Sequence, residues 1–269
     1  MTGPGLIEQT ISGLHVLSAG QGQSRPTIVL LHYFGGSSRE WRLVMDRLAT
    51  TRSCIAVDLP GFGRSPPLAT YTLDTMADAV EALVRSLGVN EYLLAGHSMS
   101  GKIAAVIAAR RPPGLRGLVL VAPSPPTPEP MDDAKRNRAL NSHGSRSAAL
   151  ATVENITAHP LDPELLEQQV ADNVATSPEA WTWWLEEGSR VDVSDNVGQI
   201  EVPIVVVGGS ADPVITPEIL EQDVVMPLKA HIEKVVTADS GHLIPLEAPD
   251  VLTKAIDTFV TGGGPRQRS

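Results

Sequence analysis

Cysteine is almost missing from this chain of 269 residues. The single one, Cys54, leaves no partner for an intrachain disulfide and excludes a thiolate metal cluster. It sits in the strand-like run Cys54-Ile55-Ala56-Val57 and reads as a small buried hydrophobe. Positive charge is scarce too, with 21 Lys and Arg against 31 Asp and Glu and a formal net charge of −10. Such a surface repels phosphate backbones and anionic lipid, so neither nucleic acid nor a membrane surface is an expected partner. No apolar run approaches membrane-spanning length. The amino terminus has no basic stretch leading into an apolar core, so no signal peptide is expected and a cytoplasmic location is the default. Aromatics make up only 4% of the chain, yet Trp181, Trp183 and Trp184 fall within four residues. No internal repeat is visible.

What the chain does contain is alternation. Residues from about Leu6 to Ala19 predict the first strands, linked at Ser12-Gly13. Then come a strand over 27–31, a helix from about Ser38 to Leu48, a strand over 53–57 and a helix from about Leu73 to Leu87. Asp74 and Asp78 fall in the early turns of that last helix, where its dipole favours them. A strand-like run, Tyr92 to Ala95, and an Ala-rich helix, Lys102 to Ala109, follow, then a strand over 117–121. Alternation of this kind predicts an α/β protein with a mostly parallel sheet and helices on both faces. The prolines of Ala122-Pro123-Ser124-Pro125-Pro126-Thr127-Pro128-Glu129-Pro130 break the pattern. The continuous apolar strand at Val202–Val207 resumes it, and Ile232–Val236 adds another. Between them, residues 125–200 have helical character and read as a helical cap inserted over the sheet's carboxyl edge. The expected organisation is therefore a core of 1–124 and 201–261, a cap of 125–200 and a disordered tail of 262–269.

Between the strand at Tyr92 and the helix at Lys102 lies Gly96-His97-Ser98-Met99-Ser100-Gly101. Strand, sharp turn of small residues, helix is the setting in which a Gly-x-Ser-x-Gly-like match carries meaning. Ser98 would stand at the tip of the bend, with the Met99 N–H at a helix start beside it. The second motif position holds Ser100, small enough to fit at a modest cost in strain, with Gly101 just after. A serine hydroxyl needs a positioned base, and the base an orienting carboxylate. The loop after Val202–Val207 carries Asp212, in Gly208-Gly209-Ser210-Ala211-Asp212-Pro213. The loop after Ile232–Val236 carries His242, in Asp239-Ser240-Gly241-His242. Both loops lie at the carboxyl edge, where open α/β sheets collect their chemistry. Competing carboxylates are Glu129, beyond the proline-rich exit, and Asp239, too near His242 in sequence to orient it easily. A second oxyanion donor is expected from the Phe34 N–H, in His32-Tyr33-Phe34-Gly35-Gly36, directly after the strand at 27–31.

On these residues the chain resembles the α/β-hydrolase fold superfamily, in the branch of small esterases, cofactor-free haloperoxidases and carbon–carbon bond hydrolases. The matching blocks are His32 to Trp41, Asp58-Leu59-Pro60-Gly61-Phe62-Gly63-Arg64-Ser65, the serine turn, Gly209-Ser210-Ala211-Asp212, and Gly241-His242 with Glu247-Ala248-Pro249. The resemblance implies an eight-stranded sheet, Ser98 as nucleophile, His242 as base, Asp212 as acid and Asp58 as a loop-structuring residue. It departs from the family at Tyr33, where glycine is usual, and at Gly35, where perhydrolase-like members often carry proline.

Trp181 and Trp184 share a helix face with Leu185, while Trp183 points elsewhere. That face is expected to pack the cap or to roof a cavity. Tyr33, Phe34, Met99, Ile215 and Leu243 are further wall candidates because they neighbour the reacting groups. His32 and His97 are expected to hold loop backbone. His15, His143, His159 and His231 have no nearby chemical context. The expected activity is hydrolysis of small to medium, uncharged or apolar carboxylic esters through an acyl-enzyme, with no cofactor or metal. Three alternatives stand beside it: a carbon–carbon hydrolase acting on a dienoate keto acid, a cofactor-free haloperoxidase-like side reaction of the same site, and a hydrolase-fold protein that binds a ligand without turnover. The first would need a cation in the cavity, and neither Lys102 nor Arg190 is obviously placed there.

Overall fold

Eight strands join in one sheet, in the spatial order β1-β2-β4-β3-β5-β6-β7-β8. They are β1 (Ile7–Ile11), β2 (Leu14–Ala19), β3 (Thr27–Leu31), β4 (Cys54–Val57), β5 (Tyr92–His97), β6 (Leu115–Val121), β7 (Ile204–Gly209) and β8 (Ile232–Ala238). The structure is a computed structural model that describes residues 5–20 and 26–262. β1 and β2 form a hairpin across Ser12 and Gly13, both at positive φ (51° and 81°), as a two-residue turn of that hand demands. β2 runs antiparallel to β4, and every later pairing is parallel. The sheet is thus the mostly parallel one expected. The expected tail at 262–269 lies outside the described residues, except for Gly262, which closes the C-terminal helix Pro249–Gly262.

Buried parallel strands need cover on both faces. Alternation along β3 supplies the two sides: Val29 and Leu31 enter one apolar cluster, Ile28 and Leu30 the other. The first cluster is closed by helices α2 (Leu73–Ser86) and α3 (Met99–Ala109), through Met76, Val80, Ile103 and Ile107. The second is closed by α1 (Arg42–Leu48) and the C-terminal helix, through Val44, Met45, Leu252 and Ile256. Cys54 is fully buried in this second cluster, and burial pushes its thiol up to about 12. α2 begins with a Thr72–Thr75 capping box, which satisfies backbone donors that its first turn would leave open.

Chain order fixes where a site can form. From β3 the chain crosses to β4 on one side, and β5 lies on the other. Loops leaving β3 and β5 therefore diverge at their carboxyl ends and open a crevice there. Between β6 and β7 the chain leaves the sheet and builds α4 (Asp133–Ser142), α5 (Arg146–Ile156), α6 (Pro163–Ala175) and α7 (Pro178–Glu186). Each begins with a side-chain cap, from Asp132, Ser145, Asp162 and Ser177, and proline opens the last two. These helices reach the crevice loops. Ser37 Oγ donates to Asp172 Oδ2 at 2.7 Å, Arg39 pairs with the same carboxylate, and the Ser177 N–H donates to the Gly61 carbonyl at 2.7 Å. A third apolar cluster joins them to the core: Ala149, Val153 and Val170 meet Tyr33, Leu243 and Leu246.

Candidate active site

Ser98 directly follows β5 and caps α3 at φ 55° and ψ −119°. A non-glycine residue in that region is strained, and the turn must be held from several sides. Gly96 is one condition, because a Cβ there would lie 2.4 Å from the Ser100 carbonyl oxygen. Gly101 is another, because its Cβ would lie 2.4 Å from Pro123 Cβ. The crowding expected at position 100 therefore falls on Gly101. Ser100 is not a strained stand-in for glycine. Its hydroxyl lies 2.7 Å from the Leu31 carbonyl and accepts the His97 N–H at 2.9 Å, tying the turn to β3.

Three loops converge on the Ser98 hydroxyl. His242, in the loop after β8, places Nε2 2.8 Å from Ser98 Oγ. Asp212, in the loop after β7, places Oδ2 2.8 Å from His242 Nδ1. All three residues are buried. The other oxygen of Asp212 accepts the backbone N–H groups of Val214 at 2.7 Å and Ile215 at 3.0 Å, which fixes the carboxylate plane. An imidazole so held carries its proton on Nδ1 and presents a lone pair to the hydroxyl, so it can take the hydroxyl proton. Asp239 is not part of this chain of bonds. Its side chain is 93% exposed and lies 3.9 Å from the His159 ring. Glu129 comes closer and lies within electrostatic reach of His242. Burial pushes its carboxyl up, against the pull of Lys102 and His242, and Asp212 holds the ring nitrogen.

The backbone N–H groups expected to receive an oxyanion are those of Met99 and Phe34. The Met99 N–H, at the first position of α3, has no acceptor within its own helix. Phe34 follows β3 in a bend made by Gly35 at φ 82°, where a Cβ would lie 2.6 Å from Asn173 Nδ2. The histidines behind these loops anchor backbone. His32 Nε2 accepts the Leu59 N–H at 3.0 Å, so Nδ1 donates to the Tyr33 carbonyl at 2.7 Å. His97 Nε2 lies 2.8 Å from the His242 carbonyl. His15 has a context that the sequence hides, with Nδ1 2.9 Å from Asp58 Oδ2. Asp58 also accepts the N–H groups of Ser38 and Arg64, at 2.7 and 2.8 Å. Burial alone would raise its carboxyl, but hydrogen bonds from Ser38 and Arg64 and the nearby His32 hold it below the usual range. His143 packs against Trp181, and its Nε2 donates to the Thr176 carbonyl at 2.8 Å.

The aromatic residues gather over Phe34. The Trp181 ring lies 4.5 Å from it and that of Trp184 6.5 Å. Trp183 turns away and stacks on Tyr71 at 5.6 Å. Tyr33 is buried, with its hydroxyl donating to Gln169 Oε1 at 3.3 Å. Burial, with the Glu40 and Asp172 charges nearby, pushes its phenol well above the ordinary value. Ile215 and Leu243 are buried beside Asp212 and His242. Of the two cations in question, Lys102 is buried and donates to the carbonyls of Thr127 and Val191, at 3.1 and 2.6 Å. Burial lowers its ammonium to about 8. Arg190 faces outward and pairs with Asp133 at 3.0 Å.

Two acids at the site escape a reading of the residues alone. Glu247 accepts the N–H groups of Gly241 and Leu243 on either side of His242, and of Ala158 in the helical insertion. Its place in the Glu247-Ala248-Pro249 block was the available signal. Glu40 lies 57 residues before its partner His97, and nothing local marks it as buried.

A mostly parallel α/β sheet with a serine–histidine–aspartate chain at its carboxyl edge defines a class of hydrolase-like architecture. The chain belongs to the alpha/beta hydrolase family, whose model matches residues 28–255. It is 28% identical over 244 residues to a pimeloyl-[acyl-carrier protein] methyl ester esterase of Sodalis glossinidius, covering 86% of this chain and 92% of that one. A shorter match, 36% identical over 114 residues, is to the dihydrolipoyllysine-residue acetyltransferase component of the acetoin cleaving system of Cupriavidus necator. It covers 42% of this chain but only 30% of that protein. Among solved structures, a bromoperoxidase from Bacillus anthracis superposes with a TM-score of 0.83 at 18% identity, covering 96% of this chain and all of that one, a likeness of fold. Among the described residues no helix is long and apolar enough to cross a membrane.

Proposed function

We propose that this protein is a serine hydrolase that cleaves small to medium, uncharged carboxylic esters through an acyl-enzyme. The observation that carries the reading is the unbroken line of 2.8 Å contacts from Asp212 through His242 to Ser98. Ser98 Oγ attacks the ester carbonyl carbon as His242 Nε2 takes its proton. The carbonyl electrons move onto oxygen, where the N–H groups of Phe34 and Met99 receive the charge. Each such donor contributes about 3–4 kcal/mol to lowering the barrier. The intermediate collapses, the alcohol leaves with the proton from His242, and water repeats the cycle on the acyl group. Residues 125–200 act as a cap over a core of 1–124 and 201–261. Trp181, Trp184, Tyr33, Ile215 and Leu243 give the cavity its apolar walls.

An ester is favoured over a dienoate keto acid because Lys102 spends its ammonium on two carbonyls and Arg190 is turned outward. The methyl ester named for the Sodalis relative agrees with that choice. The test is a panel of aryl esters of graded acyl length, with Ser98→Ala as control. Turnover that peaks at short to medium chains and falls about 10⁴-fold or more in the variant is the expected result. Preference for a ring-fission keto acid would move the activity to carbon–carbon cleavage. Tight ligand binding without product, unchanged in Ser98→Ala, would make this a binding protein.

A further inference from the structure

Behind the site lies a second imidazole–carboxyl pair that the reaction itself does not use. His97 is 0% exposed and Glu40 1%. His97 Nε2 lies 2.8 Å from the backbone oxygen of His242, and Nδ1 lies 3.2 Å from Glu40 Oε1. A carbonyl oxygen only accepts, so Nε2 carries a hydrogen. One more proton must then lie between Nδ1 and Oε1, since two lone pairs facing each other where water is excluded would be costly. Whichever of the two atoms binds it, the Nε2 hydrogen stays aimed at His242. The second Glu40 oxygen is 3.5 Å from the Tyr33 N–H, in the loop that carries Phe34.

Among the described residues the His242 backbone is otherwise held from outside β5, and its carbonyl also accepts the Ile244 N–H at 2.9 Å. Its N–H donates to the Ile156 carbonyl at 2.7 Å, and its neighbours are held by Glu247. His97, the last residue of β5, supplies a link to the strand that leads into Ser98. We propose that His97, kept in its Nε2–H form by Glu40, is a positioning residue that sets the distance between the His242 imidazole and Ser98. The inference rests on the reading that His242 serves Ser98 as base.

The test compares side chains that differ in reach. Gln at position 97 can extend an amide N–H to the His242 carbonyl, and Asn cannot. His97→Asn is expected to lower kcat about 10–100-fold with KM within twofold, the scale of a misplaced reacting group. His97→Gln is expected to stay within about threefold of wild type. Glu40→Gln is expected to do the same, because its amide donates to Nδ1 and leaves the Nε2 hydrogen in place. Melting temperatures are measured for all three. Wild-type kcat in His97→Asn would overturn the inference, as would a loss carried by KM. A folded His97→Gln that loses more than tenfold would also overturn it, and this arm decides alone if the Asn variant does not fold. A flat series in an enzyme whose turnover does depend on Ser98 removes only the role of His97. A wild-type chain without Ser98-dependent turnover removes the proposed function, and this inference with it.

Discussion

Asp212→Asn is the substitution whose effect the structure fixes most tightly. One carboxylate oxygen accepts two backbone N–H groups, from Val214 at 2.7 Å and Ile215 at 3.0 Å. The other accepts from His242 Nδ1 at 2.8 Å. An asparagine must turn its carbonyl oxygen toward the two N–H donors. The opposite flip would set an NH₂ group against them and forfeit two hydrogen bonds, about 2 kcal/mol or more. The NH₂ group therefore faces Nδ1, which must accept, and the ring proton moves to Nε2. Nε2 is the atom 2.8 Å from Ser98 Oγ, and with a hydrogen in place it cannot take the hydroxyl proton. The expected fall in kcat is about 10⁴-fold, or roughly 5.4 kcal/mol of barrier. Because the shape is conserved, KM and the melting temperature should change little. Steady-state kinetics at neutral pH, with thermal unfolding alongside, measures both. An Asp212→Asn variant that keeps more than a tenth of wild-type kcat would refute the assignment of the base.

The remaining predictions concern the supports of the site. Ser100→Ala deprives the His97 N–H and the Leu31 carbonyl of a partner, so stability should fall by about 2 kcal/mol, seen as a lower urea midpoint at unchanged slope; equal stability would contradict the role given to this hydroxyl. Gly35→Ala puts a Cβ at φ 82° and 2.6 Å from Asn173 Nδ2, a strain of about 1–2 kcal/mol, and a turnover loss of about tenfold is expected as the Phe34 N–H shifts. Asp58 contributes stability in full above the ordinary carboxylate pKa of about 4, and the contribution disappears as pH falls through its lower folded value. Asp58→Asn should thus cost about 2–3 kcal/mol at neutral pH, with the gap to wild type closing in acid; a gap that widens there would reverse the sign of this account.

Local pattern made most of the sheet legible. The two faces of β3, the burial of β7 and the helical character of α2 and α3 follow from spacing that lies within one element. Boundaries slipped where tertiary contacts decide them. β6 begins at Leu115, two residues before the apolar run, because Leu115 pairs with Tyr92 at an irregular register. The helix expected from Ser38 starts as a tight turn over Ser38–Trp41, capped by Ser37, before α1 begins at Arg42. The serine, histidine and aspartate were legible because each lies just beyond a recognisable strand. The carboxyls behind them were not. Glu40 and Asp172 owe their burial to partners 57 and 135 residues away, and no window of sequence contains both ends. Ser100 was visible as a departure from the family pattern. Its use was hidden, since the acceptor of its hydroxyl, Leu31, lies 69 residues earlier.

A fluorophosphonate reads the central claim directly, because it traps a serine oxygen made nucleophilic by a neighbouring base. Peptide mass spectrometry of the labelled protein should place one adduct on Ser98, absent from Ser98→Ala and formed far more slowly in Asp212→Asn. Labelled intact protein with Ser98 unmodified would contradict the account.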